Sequence, residues 1–147
     1  MAGNPYGGGG ANQYKQMAVK TATRGQLLIM LYEGAIQNVK KAAAAIERND
    51  LQTKGIAIGK AHDIVNELAN TLDFNVGGAI AQDLERLYHF MTEQILKANL
   101  ENSKEKLQAV VKLLETLLSG WKDAVQQANR EAATGNRVDT AEKTDRK

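Results

Sequence analysis

Between Thr23 and Val125 apolar residues recur at intervals of three and four, without period-two alternation and without proline. That pattern predicts amphipathic helices and no strands. The first stripe is Leu28, Tyr32, Ala35, Val39, Ala42 and Ile46, whose alternating gaps of four and three keep one face toward a partner helix. Thr23-Arg24-Gly25-Gln26 fits a capping box, so this helix starts at Thr23, and "ERND" ends it near Asn49. A second helix follows Asp50 and carries Ile58, Ala61, Val65, Leu68 and Leu72 on one face, widened by Ala57 and Ile64. It stops at "TLDFNVGG", where Asp73, Asn75 and two glycines make a turn. The third runs from about Ala79 to Asn99 with Ile80, Leu84, Leu87, Met91, Ile95 and Ala98 inward. "ANLENS" breaks the pattern, and Asn102 with Glu105 reads as the cap of a fourth helix bearing Leu107, Val110, Val111, Leu114, Leu117, Leu118, Trp121 and Val125. Short connections then predict an all-α, antiparallel up-down four-helix bundle, with an extra short N-terminal helix or lid as an option.

Outside the periodic region the composition changes. Residues 1–13 hold five of the 13 glycines and the one proline, a flexible leader whose backbone entropy local packing does not offset. Residues 14–129 form the bundle domain. Residues 130–147 have Val138 as their only large apolar side chain, which predicts a polar, disordered tail. The 19 basic and 17 acidic residues are scattered along the chain, offering a phosphate backbone no concentrated patch, so nucleic acid is not expected as a partner. The longest apolar run, Leu27 to Tyr32, is far short of the roughly 20 residues that span a bilayer, and no membrane insertion is expected. With no cysteine there is neither a disulfide framework nor a thiol nucleophile, and a cytoplasmic setting is the simplest assumption.

Little in the chain suggests reaction chemistry. Di-metal bundles need inward Glu residues and Glu-x-x-His pairs, whereas His62 and His89 each stand one residue off an inward position and Glu85 precedes His89 by four. "GIAIGKA", Gly55 to Ala61, resembles a phosphate loop but is one residue short between its glycines, lacks the following Ser or Thr and follows no strand. Gly55 and Gly59 are read instead as a weakly wound helix start or a close helix contact. No nucleophile and base pair is visible. The expectation is a protein with no catalytic residue, no metal and no cofactor.

The stretch "LLIMLYEGAI" from Leu27 to Ile36 is more apolar than one buried face needs. At about 100° per residue from Leu28, Ile29 and Ile36 fall together on one flank, Leu31 on the other, and Met30 nearly opposite the core. Leu27 lies outside the stripe too, as do Phe90 on the third helix and Leu113 on the fourth. Isolated exposed apolar residues are ordinary on protein surfaces. Several on different helices suggest an apolar groove for an amphipathic segment of another chain, with methionines adapting to it. "YKQMAVKTAT", Tyr14 to Thr23, is apolar enough at Tyr14, Met17, Ala18 and Val19 to dock there as an intramolecular lid, or else it extends the first helix.

These stretches together are recognisable. "YKQMAVKTAT", "LLIMLYEGAI", "AIERND", "KAHDIVNELANTLD", "GGAIAQDLERLYHFM", "ANLENS" and the late Trp121, in this order over residues 14–125, resemble the flagellar export chaperone family, FliS. The family commonly has Ser-Pro where this chain has Thr23-Arg24, which keeps the capping hydroxyl and loses the proline. The "LDFNVGG" turn is also shorter by about a residue than in many relatives. The resemblance implies a cytosolic chaperone that binds the C-terminal segment of flagellin, prevents its premature polymerisation and delivers it to the flagellar type III export gate. Other flagellar regulators are further candidate partners, as is a homodimer without client. It also implies that the N-terminal segment can cover part of the groove when no client is bound. On this reading Tyr14 and Met17 are lid residues, and Ile29, Met30, Tyr32, Ile36, Leu87, Tyr88 and Met91 are groove candidates, with Tyr32, Leu87 and Met91 also suited to ordinary core. The alternative from another class is a structural or regulatory bundle that self-associates through its apolar flanks.

Overall fold

The computed structural model describes residues 23–145, with side chains as far as Thr134. Four helices follow one another: α1 (Arg24–Glu47), α2 (Leu51–Asn70), α3 (Phe74–Glu101) and α4 (Lys104–Asp145). Each packs on two neighbours in a ring, α1 and α3 both against α2 and α4. Connections of two or three residues make successive helices antiparallel, the expected up-down bundle.

Each start has a local chemical cause. Thr23 and Gln26 form the expected capping box, Gln26 N–H donating to Thr23 Oγ1 at 3.1 Å and Thr23 N–H to Gln26 Oε1 at 3.0 Å. Asp50 caps α2 by accepting from Thr53 N–H, and Asp73 caps α3 by accepting from Asn75 and Val76 N–H. Such caps stabilise a helix by about 1 kcal/mol each. The fourth cap departs from expectation. Asn102 adopts a left-handed conformation (φ 53°) that ends α3, and Ser103 Oγ accepts from Lys106 N–H instead. A short polar residue tolerates the left-handed turn, so the cap moves one residue on.

The core is a single cluster drawn from all four helices, centred on Tyr32, Val39, Val65, Leu68, Tyr88, Met91, Ile95, Leu107 and Leu114. The stripes predicted for α1, α2 and α4 are buried or half-buried throughout. On α3 the inward positions are Ala81, Leu84, Tyr88, Met91, Ile95 and Ala98. Ile80, expected inward, is 69% exposed, and Leu87 is only half-buried. Bulk suggested Ile80 where the small Ala81 occupies the face, and a purely apolar side chain suggested Leu87 where the larger, hydroxyl-bearing Tyr88 occupies it. α3 also starts five residues before the expected Ala79. Gly78 interrupts it with φ 52° and ψ −124°, a conformation open to glycine and not to L side chains, so one turn from Phe74 to Gly77 precedes the main length.

One further expectation is corrected. A Cβ added at Gly55 or at Gly59 would meet nothing within 4 Å, so neither glycine serves a close helix contact. From Arg130 onward α4 is described as helix as far as Asp145. The side chains of this stretch are exposed as far as they are described, in keeping with a helix that extends past the ring.

Candidate functional site

The two ends of the bundle are built differently, and two apolar cavities lie at one of them. There α1 begins, α2 ends, the Phe74–Gly77 turn lies, and α4 passes on its way out of the ring. Leu27, Leu28 and Leu31 of α1 face Trp121 and Val125 of α4 across a cavity of about 450 Å³. A second cavity of about 210 Å³ shares Leu28, Thr71 and Trp121 with the first and is otherwise lined mainly by Leu72, Val76, Ile80, Leu84 and Tyr88. Val76, 85% exposed, and Phe74 extend the apolar surface outward. Asp73 orients this rim, since its cap holds the turn with Val76 outside the core. Gly25 allows the closure of α4 on α1, because a Cβ there would lie 2.7 Å from Val125 Cγ2.

Beneath the cavities lies a small polar network. Trp121 Nε1–H donates to Tyr32 Oη at 3.1 Å, and Tyr32 Oη lies 2.5 Å from Tyr88 Oη. The tyrosine rings are 6.3 Å apart and tilted by 56°, within the range of favourable aromatic pairs. Burial pushes both hydroxyls above the ordinary phenol range, and for Tyr88 the hydrogen bond with Tyr32 adds to the rise. Both are neutral at physiological pH, as a desolvated pair must be.

The residues expected to form the groove separate into two groups. Tyr32, Tyr88 and Met91 are wholly buried and Ile36 nearly so; they are core, and the direct surface role expected for them does not fit that burial. Tyr88 still contributes to the wall of the smaller cavity. Ile29 and Leu87 are half-buried against the core and Met30 is 40% exposed, but none of the three lines either cavity. Ile29 and Met30 lie on α1 and Leu87 on α3, diagonal across the ring, so the fold does not bring them together. Tyr14 and Met17 lie outside the described residues. Leu28, Leu31, Val76, Ile80, Trp121 and Val125 were not marked as groove residues. The off-stripe positions of Leu27 and Leu31, so close to the start of the first helix, were the available signal.

A shallower depression of about 600 Å³ between α1 and α4 is a different surface, with Ile36 and Leu118 under a rim of Glu33, Gln37, Glu115, Lys122 and Asp123. Two ion pairs border it, Lys122 with Glu33 at 3.6 Å and Glu115 with Lys40 at 3.4 Å. Among the described residues no group of three His, Asp or Glu side chains is placed to hold a metal ion, and no helix is long and apolar enough to cross a membrane. The end groove can therefore offer apolar contact and shape, which suit a helix or an extended apolar segment.

Comparison with known proteins agrees with this geometry. A sequence model of the family described as "Flagellar protein FliS" matches residues 8–128. The chain belongs to the FliS family. It is 32% identical over 128 residues to the flagellar secretion chaperone FliS of Bacillus subtilis (strain 168), covering 87% of this chain and 91% of that protein. To the FliS chaperone of Salmonella typhimurium it is 34% identical over 129 residues, covering 84% and 96%. To FliSB of Pseudomonas aeruginosa it is 35% identical over 113 residues, covering 74% and 90%. A solved structure titled "Crystal structure of flagellar chaperone from bacteria" superposes with a TM-score of 0.67 at 21% identity, over 80% of this chain and 99% of that one, and shows the same fold. FliS relatives are named as chaperones, not enzymes, and an apolar groove without reactive groups is the site such a protein needs.

Proposed function

We propose that this FliS protein works in the bacterial cytosol, holds the C-terminal segment of flagellin, keeps it from polymerising before secretion and delivers it to the flagellar type III export gate. The observation that carries this reading is the pair of joined apolar cavities at one end of a FliS bundle. Apolar area removed from water contributes roughly 25 cal/mol per Å². A client that orders on binding gives back a few kcal/mol of that gain. The half-buried Ile29 and Leu87 and the exposed Met30 are candidate contacts for the parts of a wrapped client that leave the end groove. Tyr32, Ile36, Tyr88 and Met91 support that surface from beneath. The segment carrying Tyr14 and Met17 enters the described structure at Thr23, four residues before Leu27 at the groove, so a lid on these cavities needs only a short return of the chain.

Calorimetric titration with the C-terminal segment of flagellin from the same organism tests the reading. The expected result is saturable one-to-one binding with a negative heat-capacity change, and none with a flagellin fragment lacking that terminus. An intact, helical protein that ignores the segment, or that self-associates regardless of it, overturns the reading in favour of a self-associating bundle.

A further inference from the structure

The end groove is walled by the only tryptophan of the chain, and a single hydrogen bond orients that ring. Trp121 is half-buried, packs on the core cluster and borders both cavities. An indole N–H only donates, so Tyr32 Oη at 3.1 Å is its acceptor. Tyr32 has no freedom to follow the ring outward: it is wholly buried, and its oxygen is also engaged 2.5 Å from Tyr88 Oη. One oxygen at the floor of the groove thereby ties α4 to α1 and α1 to α3, the helices that supply most of its apolar walls.

We propose that Tyr32 is a positioning residue for client binding, holding the Trp121 indole as a common wall of both cavities so that the groove is formed before the client arrives. The inference rests on the chaperone reading above, with the C-terminal segment of flagellin as occupant. Because Trp121 is half-buried, loss of its acceptor does not strand the N–H. The ring turns to give that N–H to water, and the wall moves with it. A wall that must be ordered on binding costs affinity that a preformed wall does not.

The test combines calorimetric titration against the flagellin segment with acrylamide quenching of tryptophan fluorescence, which reports on Trp121 alone. Tyr32→Phe is expected to bind roughly five- to tenfold more weakly, the effect of about one lost hydrogen bond, and to leave Trp121 more accessible to quencher in the free protein. Val65→Ala serves as the control, because Val65 is buried in the same core and lines neither cavity; it should lower stability and leave affinity and quenching unchanged. Wild-type affinity in Tyr32→Phe, or an equal loss in Val65→Ala, overturns the positioning role. Failure of the wild type itself to bind the segment overturns the chaperone reading and this inference together.

Discussion

The two ends of the bundle differ in how they are closed. At the end holding the α1–α2 and α3–α4 connections, polar side chains satisfy the helix termini. Asn49 and Asn102 take the left-handed turns. Asp50 and Ser103 cap the following helices, and Glu47 pairs with Lys104 and Glu101 with Lys106. Lys54, only 8% exposed, donates to Asn99 O at 3.1 Å and to Asn102 Oδ1 at 2.7 Å, placing a cation at the C-terminus of α3 where the helix dipole favours it. The opposite end has caps at Thr23 and Asp73, yet its interior is left to Leu28, Leu31, Val76, Ile80 and Trp121 around two cavities. A closed polar end sets register and stability. An open apolar end leaves contact energy unspent, and that is where another segment gains most by docking.

The sharpest way to separate the ends is pH. Tyr32 and Tyr88 have folded pKa values raised above the phenol value of 10.0, so between that value and their folded pKa the unfolded chain has released protons that the native state keeps. Stability should therefore be level through neutral pH and fall steadily above about pH 10, and urea midpoints should show it. Tyr32→Phe should flatten part of that fall. Lys104, raised by Glu47, acts in the same direction, but its exposure and solvent screening make it minor.

Next in size, Lys54→Met should cost about 2 kcal/mol by leaving a helix-terminal carbonyl and Asn102 without their donor. It should leave affinity for the flagellin segment unchanged, and equal damage to both would mean that the ends are mechanically coupled. Ile80→Asp tests the open end in the opposite sense. At an exposed site it should move stability by no more than about 0.5 kcal/mol, while binding weakens roughly tenfold because a charge must be desolvated against the client. Gly59→Ala, with open space around its added methyl, should stabilise the helix by up to about 1 kcal/mol and leave binding unaltered, read from thermal midpoints and titration. The smallest effect should come from acid. Glu47 is held below its usual range by Lys104, and Asp50 by hydrogen bonds from Thr53, so their contribution is present above the ordinary carboxylate range and fades as pH falls below it. Nuclear magnetic resonance titration of the closed end should show that loss while shifts at Trp121 stay still.

Much of this molecule was legible from periodicity. Helices report themselves because burial must repeat at 3.6 residues, and the capping box at Thr23 and the cap at Asp50 are local hydrogen-bond chemistry readable from neighbouring residues. Errors arose where two residues competed for one role. Ile80 was preferred to Ala81 by bulk, though the helix phase set by Leu84, Met91 and Ile95 turns Ala81 inward. Asn102 was preferred to Ser103 as a cap, though ending α3 already required Asn102. The candidate groove was less legible. An apolar side chain off the main stripe has several possible fates, and Ile36 and Leu27 lie about equally far from its centre, on opposite flanks, although Ile36 is nearly buried and Leu27 borders the end cavity.

By itself, then, the sequence determined the class, the number of helices, most of their inward faces and the family, because these depend on local hydrogen bonding and on the spacing of apolar residues along one chain. Only the tertiary structure decided which surplus residues remain available, because that depends on how far each neighbouring helix reaches. α1 begins beside the end of α2, Gly25 lets Val125 come close, and Trp121 is oriented by a tyrosine 89 positions away in the chain. Contacts at that separation leave no periodic trace, and they are what turns a surplus of apolar residues into a groove at one end.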